Sequence, residues 1–151
     1  LEFIPAYVEI QQIRFKNRLT VSSEVKGAVL GAVVPSLLLQ PLVENAIRHG
    51  IAPRSRAGRV WIRAEREGDE LVLEVEDDGI GMTGSPRLAP GGIGLRNTRA
   101  RLQQLYESAH ELLIRSVEQR GTLVRIRLPY VEADGAVDSD TKDGSITAIA
   151  S

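Results

Sequence analysis

The sequence predicts an α+β fold, with one mixed β-sheet and the helices gathered on one of its faces. Two pairs of strand-like segments, at residues 60–67 with 71–76 and at 112–118 with 122–128, are each joined by a short turn that contains glycine. The helical segments lie apart from these hairpins along the chain. Strands that arrive in hairpins while helices are segregated are typical of a two-layer sandwich.

Composition indicates an ordinary globular domain and excludes several kinds of function. The chain has 151 residues, 42% of them hydrophobic and 26% charged, with a net charge of −1. Because there is no basic excess, we expect no nucleic-acid partner. The chain contains no cysteine and only two histidines, which excludes disulfides and thiolate metal sites and disfavours a histidine-rich metal site.

No apolar run approaches the roughly 20 residues that span a bilayer, and no signal peptide is visible. The chain begins abruptly, just ahead of a predicted helix. We therefore expect it to be a piece of a larger protein.

The first third of the chain is predicted to alternate helices with one strand. Apolar residues at helical spacing predict a helix over residues 6–18, and a mixture of β-branched and polar residues predicts a strand over 19–25. Residues 26–34 are small and apolar and predict a brief helix. A long helix is expected to follow from residues 35 and 36 to Gly50, a residue that favours a C-terminal cap.

The rest of the chain predicts two hairpins separated by a loop and a helix. Glycine and proline are too dense in residues 79–94 for any regular element, and we expect residues 82–92 to form a mobile lid. A helix then runs through residues 95–106 before the second hairpin. Residues 130–151 carry five acids and one lysine among small residues, which predicts a disordered tail.

These elements predict three parts of the chain. Residues 1–19 would be a helical segment ahead of the domain, residues 20–129 the folded domain, and residues 130–151 the acidic tail.

The long helix carries the first candidate functional residues. At about 100° per residue, Glu44, Asn45 and Arg48 fall together on the face opposite an apolar stripe. Asparagine offers a neutral oxygen to Mg²⁺, glutamate an anionic oxygen, and arginine a fork of donors for phosphate oxygens. An ordinary amphipathic helix with a solvated polar face would show the same pattern.

The second candidate motif is Asp77-Asp78-Gly79-Ile80-Gly81, at the end of a predicted strand. A carboxylate there can accept a hydrogen bond from an exocyclic amine such as adenine N6. The two glycines let the backbone turn sharply and approach a ligand without a Cβ in the way. The alternative is a plain Asp-Gly turn.

The third candidate motif is Gly91-Gly92-Ile93-Gly94-Leu95, immediately before a helix. Glycines that lead into a helix N-terminus favour phosphate binding. The motif is neither a Walker loop nor a dinucleotide fingerprint, and a flexible loop is the alternative. Thr122 begins the last strand on its inward face, where its hydroxyl needs a partner; threonine there is also simply a good strand former.

Together, these three motifs resemble the N box and the two glycine boxes of the GHKL ATPase superfamily, which includes histidine kinases, DNA gyrase B subunits, heat-shock chaperones and MutL proteins. The amino-acid sequence of residues 35–50 and 92–98 is similar to the corresponding motifs of LytS-type sensor histidine kinases. The similarity covers residues 1–129. The resemblance implies a Bergerat-type ATP-binding fold with a mobile ATP lid. It also implies that residues 1–19 are the end of a linker helix from a phosphoacceptor region that is absent here.

The resemblance also implies roles for individual residues in binding ATP and Mg²⁺. Asn45 would coordinate the metal, with Glu44 beside it and beside the reacting phosphate, so that both count as catalytic. The remaining residues would bind the nucleotide: Arg48 at the phosphates, Asp77 at adenine N6, Gly79 and Gly81 against the base, Gly92 and Gly94 at the phosphates, Thr122 through water, and His49 and Leu95 without a specific role.

The sequence departs from the superfamily pattern in three respects. The hydrolytic glutamate of the gyrase, chaperone and MutL branches is replaced here by Pro41, which cannot act as a base. Neither His49 nor His110 matches the phosphoacceptor histidine. Asp78 replaces the more usual asparagine and adds a negative charge near an anionic ligand.

The resemblance implies the catalytic domain of a two-component sensor histidine kinase, which transfers the γ-phosphate of ATP to a histidine outside this chain and is inactive alone. Expected partners are ATP and ADP, the phosphoacceptor helical region of a homodimeric kinase, and a response regulator. The expected location is the cytoplasmic part of a membrane-bound sensor. The alternatives are a nucleotide-binding regulatory module without transfer activity and a GHKL ATPase.

Overall fold

A five-stranded mixed sheet forms the centre of the molecule. The computed structural model describes residues 3–16, 18–26, 29, 31–35, 38–82, 93–132 and 146–148. Within these residues the helices are α1 (Phe3–Arg14), α2 (Gln40–Asn45) and α3 (Ile93–Tyr106), and α2 continues as a π-helical turn over Ala46–Ile51. The strands are β1 (Leu19–Val25), β2 (Val33–Pro35), β3 (Gly58–Glu67), β4 (Glu70–Asp77), β5 (Glu111–Val117), β6 (Gly121–Pro129) and β7 (Ile146–Ala148).

The strand order of the large sheet is β1-β3-β4-β6-β5. Strand β1 runs parallel to β3, and every other pairing in this sheet is antiparallel. Both predicted hairpins are present, as β3 with β4 and as β5 with β6. The predicted α+β class with a mixed sheet is therefore confirmed.

The core lies between one face of this sheet and the helices. Alternate residues of the central strands point to that face and are almost fully buried, as are the apolar residues of α2 and its π-helical turn. The π-helical turn contacts β3, β4 and β6, while α3 contacts α2. The buried strand residues are Val60, Ile62, Ala64, Leu71, Leu73, Val75, Val124, Ile126 and Leu128.

Ion pairs cover the opposite face of the sheet. Arg63 of β3 pairs with Glu74 and Glu76 of β4, at 3.3 and 2.8 Å. Arg125 of β6 reaches Glu74 from the other side at 2.5 Å. One face of the sheet is thus apolar and packed, whereas the other carries alternating charges, which is the usual asymmetry of a two-layer sandwich.

The long helix differs from the prediction in both its start and its end. It starts at Gln40, with Pro41 in its first turn, and its last turn widens so that the Ala52 N–H bonds to the Ile47 carbonyl at 2.8 Å. Gly50 is therefore not a C-terminal cap, because it lies inside the π-helical turn. Such turns occur often at functional sites.

Two other predictions differ from the structure. The brief helix expected over residues 26–34 is wrong at its end, where Val33–Pro35 form β2. The partner of β2 is β7, whose residues Ile146–Ala148 fall in the segment predicted to be a disordered tail. Residues 130–132 also bond to the domain, since the Tyr130 N–H donates to the Asp69 carbonyl at 2.8 Å. The domain boundaries themselves stay a prediction.

Helix α1 packs beside β1 and α2. Of the helices within the described ranges, none combines the length and the apolar character that crossing a bilayer requires.

Candidate functional site

Asp77 lies at the end of β4 on the packed face of the sheet. Its register partners are Val60 of β3 and Thr122 of β6, so the carboxyl points toward the helices. The residue is 5% exposed, and its Oδ1 accepts a hydrogen bond from the Gly79 N–H at 2.8 Å. Such a nearly buried acceptor at a strand end can accept a further hydrogen bond from a donor.

Burial raises the pKa of Asp77 from 3.8 to about 6, because a carboxylate loses hydration there. Hydrogen bonds from the backbone of Gly79 and Thr122 act in the opposite direction. The neighbouring Asp78 raises the pKa further, and Arg54 lowers it. The group thus changes its charge just below neutral pH.

Close approach of the backbone, more than flexibility, explains the glycines around Asp77. A Cβ on Gly50 would lie 2.4 Å from Asp77 Oδ1, and one on Gly79 would lie 2.3 Å from the Gly50 carbonyl oxygen. The Ile80 N–H donates to that same carbonyl at 3.0 Å. The π-helical turn and the Asp-x-Gly-x-Gly turn are therefore in backbone contact beside the carboxyl.

Gly81 adopts a left-handed conformation with φ +69°, and a Cβ there would lie 2.2 Å from the Val117 carbonyl oxygen. Any other residue would be strained and would clash. The motif therefore also packs against the β5–β6 hairpin, which was not expected from the sequence.

Asn45 lies under the first turn of α3. A Cβ on Gly94 would come within 2.9 Å of the Asn45 amide nitrogen, so Gly94 allows this approach. The amide nitrogen is buried and has no hydrogen-bond partner in the described part of the chain. Rotating the amide by 180° exchanges its oxygen and nitrogen, so this position can present either an acceptor or a donor to a ligand.

Glu44 and Arg48 lie on a different side of the helix from Asn45. They line a cleft of about 270 Å³ between α1 and α2, together with Tyr7 and Arg14 of α1. Glu44 accepts a hydrogen bond from Gln40 Nε2 at 2.9 Å, one helical turn earlier. The polar face predicted from the sequence is present, but it divides between the cleft and the Gly94 side.

Thr122 has the partner that its inward position required. Its hydroxyl lies 2.9 Å from the hydroxyl of Ser116 on β5. Ser116 Oγ also accepts a hydrogen bond from the Met82 N–H at 2.7 Å. The two hydroxyls thus connect the β5–β6 hairpin to the segment that follows Gly81.

The structure gives less information about the roles of the remaining predicted residues. His49 is exposed on the π-helical turn, and the side chain of Leu95 is buried in the core at the start of α3. Gly92 and residues 83–91 of the predicted lid lie outside the described residues. The individual roles assigned to the site residues therefore stay predictions.

Asp78 carries a charge that the structure compensates. Its carboxylate lies 2.5 Å from Nη2 of Arg54, and Nη1 of Arg54 donates to the Asp78 carbonyl. The Arg59 N–H donates to the same carboxylate at 2.8 Å. The negative charge expected to oppose an anionic ligand is thus paired with a cation.

Sequence reasoning missed Arg54, Ser116 and Gly121 and misassigned Gly50. At Gly121, φ is +103° and a Cβ would lie 1.9 Å from the Asp77 carbonyl oxygen. The glycine of a hairpin turn gives a sequence signal, but only the register of β4 with β6 brings it to Asp77. The sequence gives no indication that Arg54 is special, because it is one of several arginines in or near the same loop.

Comparison with known proteins identifies the family. Residues 34–132, more than half of the chain, match the family described as histidine kinase-, DNA gyrase B-, and HSP90-like ATPase. All the predicted site residues fall within this range. A family of ATPase domains implies that the domain binds ATP.

Curated relatives are sensor histidine kinases. The chain is 33% identical over 130 residues to sensor histidine kinase BtsS of Escherichia coli, covering 86% of this chain and 23% of BtsS. It is 34% identical over 130 residues to YesM of Bacillus subtilis, covering 85% and 22%. It is 32% identical over 144 residues to sensor protein LytS of Enterococcus faecalis, covering 89% and 24%. The chain thus spans about a quarter of the length of these relatives.

Solved structures share the fold. The catalytic domain of histidine kinase ThkA superposes with a TM-score of 0.61 at 15% identity, covering 84% of this chain and 88% of that one. The histidine kinase domain of the Erythrobacter litoralis EL346 blue-light activated histidine kinase gives 0.57 at 23% identity, covering 82% and 59%. The chain therefore belongs to the histidine kinase-, DNA gyrase B-, and HSP90-like ATPase family, and is homologous to the catalytic domains of sensor histidine kinases.

Proposed function

We propose that this chain binds Mg-ATP and presents the γ-phosphate to a histidine on a helical region outside it. The observation that carries the proposal is the buried carboxyl of Asp77, held between Gly50 and Gly79 at 5% exposure. Asn45, on the same helical segment as Gly50, has a buried amide nitrogen with no hydrogen-bond partner among the described residues. A buried amide nitrogen without a hydrogen-bond partner needs an explanation, and a bound ligand at this position would supply one.

Asp77 would accept the N6 amine of adenine. A buried acceptor left without its donor costs about 1–3 kcal/mol, so the site should discriminate against bases that show a carbonyl there. Gly79 and Gly81 leave room for a flat ring because neither has a side chain. Thr122 would support the base through water, as part of the hydroxyl pair with Ser116.

Asn45 would hold Mg²⁺ from the Gly94 side, with Gly92 and Gly94 toward the phosphates. Glu44 and Arg48, predicted for the metal and the phosphates, instead line the cleft beside α1. In the described part of the chain, no group of three or more histidine or acidic side chains could bind a metal. A single protein oxygen still fits, because Mg²⁺ usually keeps several waters and takes its other ligands from phosphates. When bound, the ion would neutralise charge on the phosphates.

Phosphoryl transfer depends on positioning, so the chain's contribution is to hold the phosphates in line with an acceptor. An imidazole nitrogen of the acceptor would form the new P–N bond while the bond from the γ-phosphorus to the β-phosphate oxygen breaks, and ADP leaves. We place this acceptor on the helical region of a homodimeric kinase, with a response regulator as the next partner. Because ATP is a cytoplasmic substrate, we place the domain on the cytoplasmic side of a membrane-bound sensor.

The test is calorimetric titration of the chain with ATP in the presence and absence of Mg²⁺. The wild type should bind Mg-ATP, and Asn45→Ala should lose most of the increase in affinity that Mg²⁺ gives. Gln104→Ala, which removes an exposed amide on α3, is the matched control and should bind like the wild type. Absence of ATP binding by the folded wild type would contradict the proposal.

A further inference from the structure

The side chain of Arg54 is nearly buried, although no predicted part of the site includes it. It is 9% exposed, and it follows directly after the π-helical turn. Its Nη2 donates to Asp78 Oδ1 at 2.5 Å and to the Ala57 carbonyl at 2.8 Å, while Nη1 donates to the Asp78 carbonyl. The guanidinium therefore holds both the backbone and the side chain of the residue next to Asp77.

Arg54 is itself held firmly by its surroundings. Its N–H donates to the Ile51 carbonyl at 3.2 Å, and its carbonyl accepts a hydrogen bond from Arg18 Nη1 at 3.3 Å. Space for the guanidinium depends on Gly58, where a Cβ would lie 2.9 Å from Nη2. A donor fixed in this way can fix the segment to which it donates.

The segment that Arg54 holds is the turn that shapes the carboxyl of Asp77. Asp78 is bonded on one side to β3, where its N–H donates to the Arg59 carbonyl at 3.2 Å. On the other side, the Gly79 N–H donates to Asp77 Oδ1 at 2.8 Å. A shift of Asp78 would therefore move the last turn of backbone that orients Asp77.

We propose that Arg54 is a positioning residue of the adenine pocket, which acts through Asp78 to hold Asp77 against the Gly50 backbone. This inference rests on the proposed ATP-binding function. Arg54 would act through Asp78 and not by direct contact with the nucleotide. It joins the helical segment that carries Asn45 to the strand end that carries Asp77, so the sites for phosphate and base keep a fixed separation.

Charge makes this role distinguishable from a merely structural one. Of the described charged groups, Asp78 raises the pKa of Asp77 and Arg54 lowers it. Loss of Arg54 alone leaves the negative charge of the Asp78 carboxylate uncompensated beside Asp77. Loss of both charges restores the net charge of zero that the pair has in the wild type. Because the guanidinium is nearly buried while Asp78 is 40% exposed, removing Arg54 alone should be more harmful than removing both charges.

The experiment compares ATP affinity from pH 5 to pH 8 for the wild type, Arg54→Ala, Asp78→Asn and the double variant. Arg54→Ala should weaken ATP binding about tenfold, since it removes charge-assisted hydrogen bonds to the turn. It should also move the pH midpoint of binding upward. Asp78→Asn, which keeps an acceptor oxygen, should have the smaller effect. The double variant should recover part of the affinity and the original midpoint.

Arg56→Ala removes an exposed arginine of the same loop and should behave like the wild type. Arg54→Lys should keep the midpoint but lose affinity, because a lysine cannot bridge both acceptors of Asp78. It also provides the test if Arg54→Ala does not fold.

Wild-type affinity in folded Arg54→Ala or Arg54→Lys would overturn the inference while leaving ATP binding intact. So would a loss of affinity in Arg54→Ala with neither a shifted midpoint nor recovery in the double variant. Failure of the wild type to bind ATP would overturn the proposed function as well.

Discussion

Under the proposed function, base recognition in this domain would depend on a single buried carboxyl, that of Asp77. Its Oδ1 already accepts the Gly79 N–H, and the carboxyl is otherwise shielded from water at 5% exposure. An adenine amine would complete its hydrogen bonding. Guanine presents a carbonyl oxygen at the same position, which would face a carboxylate without a donor between them.

We therefore expect Asp77→Asn to weaken ATP binding and to reduce the preference for ATP over GTP. The expected loss is about 1–3 kcal/mol of binding free energy, as for one buried polar group without its partner. Calorimetry with ATP and GTP would measure both effects. Asp69→Asn, at a fully exposed position, is the control and should change neither. Equal affinity of the wild type for ATP and GTP would refute the adenine role.

The same carboxyl predicts a pH dependence of stability. Its pKa is about 6 in the folded domain and near 3.8 when unfolded, so the protonated form is favoured by folding. The stabilisation is fully present below the unfolded pKa and is lost as the pH rises through the folded pKa. Relative to Asp77→Asn, the wild type should thus gain roughly 1 kcal/mol of unfolding free energy between pH 7 and pH 5. Urea denaturation of both proteins at the two pH values measures this, and a constant difference would contradict it.

At the scale of elements, the contact between the π-helical turn and the end of β4 forms the centre of the site. Gly50 supplies that contact, because its missing Cβ is what lets Asp77 Oδ1 lie beside the helix backbone. Helix propensity alone would predict that Gly50→Ala stabilises the domain by about 1 kcal/mol. The added Cβ would instead lie 2.4 Å from Asp77 Oδ1, too close for any side chain.

We expect the clash to exceed the gain in propensity, so that Gly50→Ala lowers the unfolding free energy by about 1–3 kcal/mol, as overpacking does elsewhere. It should also reduce ATP affinity, since Asp77 must move. Thermal or urea unfolding and an ATP titration would measure the two effects. Gly31→Ala places its Cβ in open space and should change neither. A Gly50→Ala variant as stable as the wild type would contradict this prediction, because it would show that the end of β4 can shift to admit the Cβ without loss of stability.

Elements with local signals could be predicted, and elements that depend on distant partners could not. Strands β3 and β4 alternate apolar and polar residues because one face of the sheet is packed and the other carries ion pairs. Strand β2 is only three residues long and exists through its pairing with β7, more than a hundred residues later. No local pattern encodes such a pairing.

The same distinction holds for the site. Asn45, Asp77 and the glycines of their motifs were predicted because each motif is contiguous in the sequence. The contacts of Gly50 with Asp77 and of Gly121 with the Asp77 carbonyl depend on the π-helical turn and on the register of β4 with β6. Arg54 gives no sign in the sequence that it is buried and paired with Asp78.

At the scale of the whole molecule, one helical segment packed across the sheet contacts both halves of the proposed ATP site. Asn45 stands at the end of α2 beneath Gly94 of α3, and Gly50 stands one turn later against Asp77 of β4. The packed core under this segment would fix the distance between the proposed base and phosphate sites. The acceptor of the phosphate is the component for which the described chain offers no candidate, because His49 lies on the ATP-site helix and His110 precedes β5.

The chain alone should therefore bind ATP without completing a transfer, since Pro41 also stands where related ATPases carry their hydrolytic base. Adding the phosphoacceptor helical region in trans, or extending the chain to include it, should restore labelling from γ-labelled ATP on a histidine outside these 151 residues. Asn45→Ala should abolish that labelling with the fold intact, because the side chain contributes nothing to the apolar stripe, and Gln104→Ala should leave it unchanged. Acid-labile phosphate on His49 or His110 of the isolated chain, or brisk ATP hydrolysis by it, would show instead that the domain supplies its own acceptor or base.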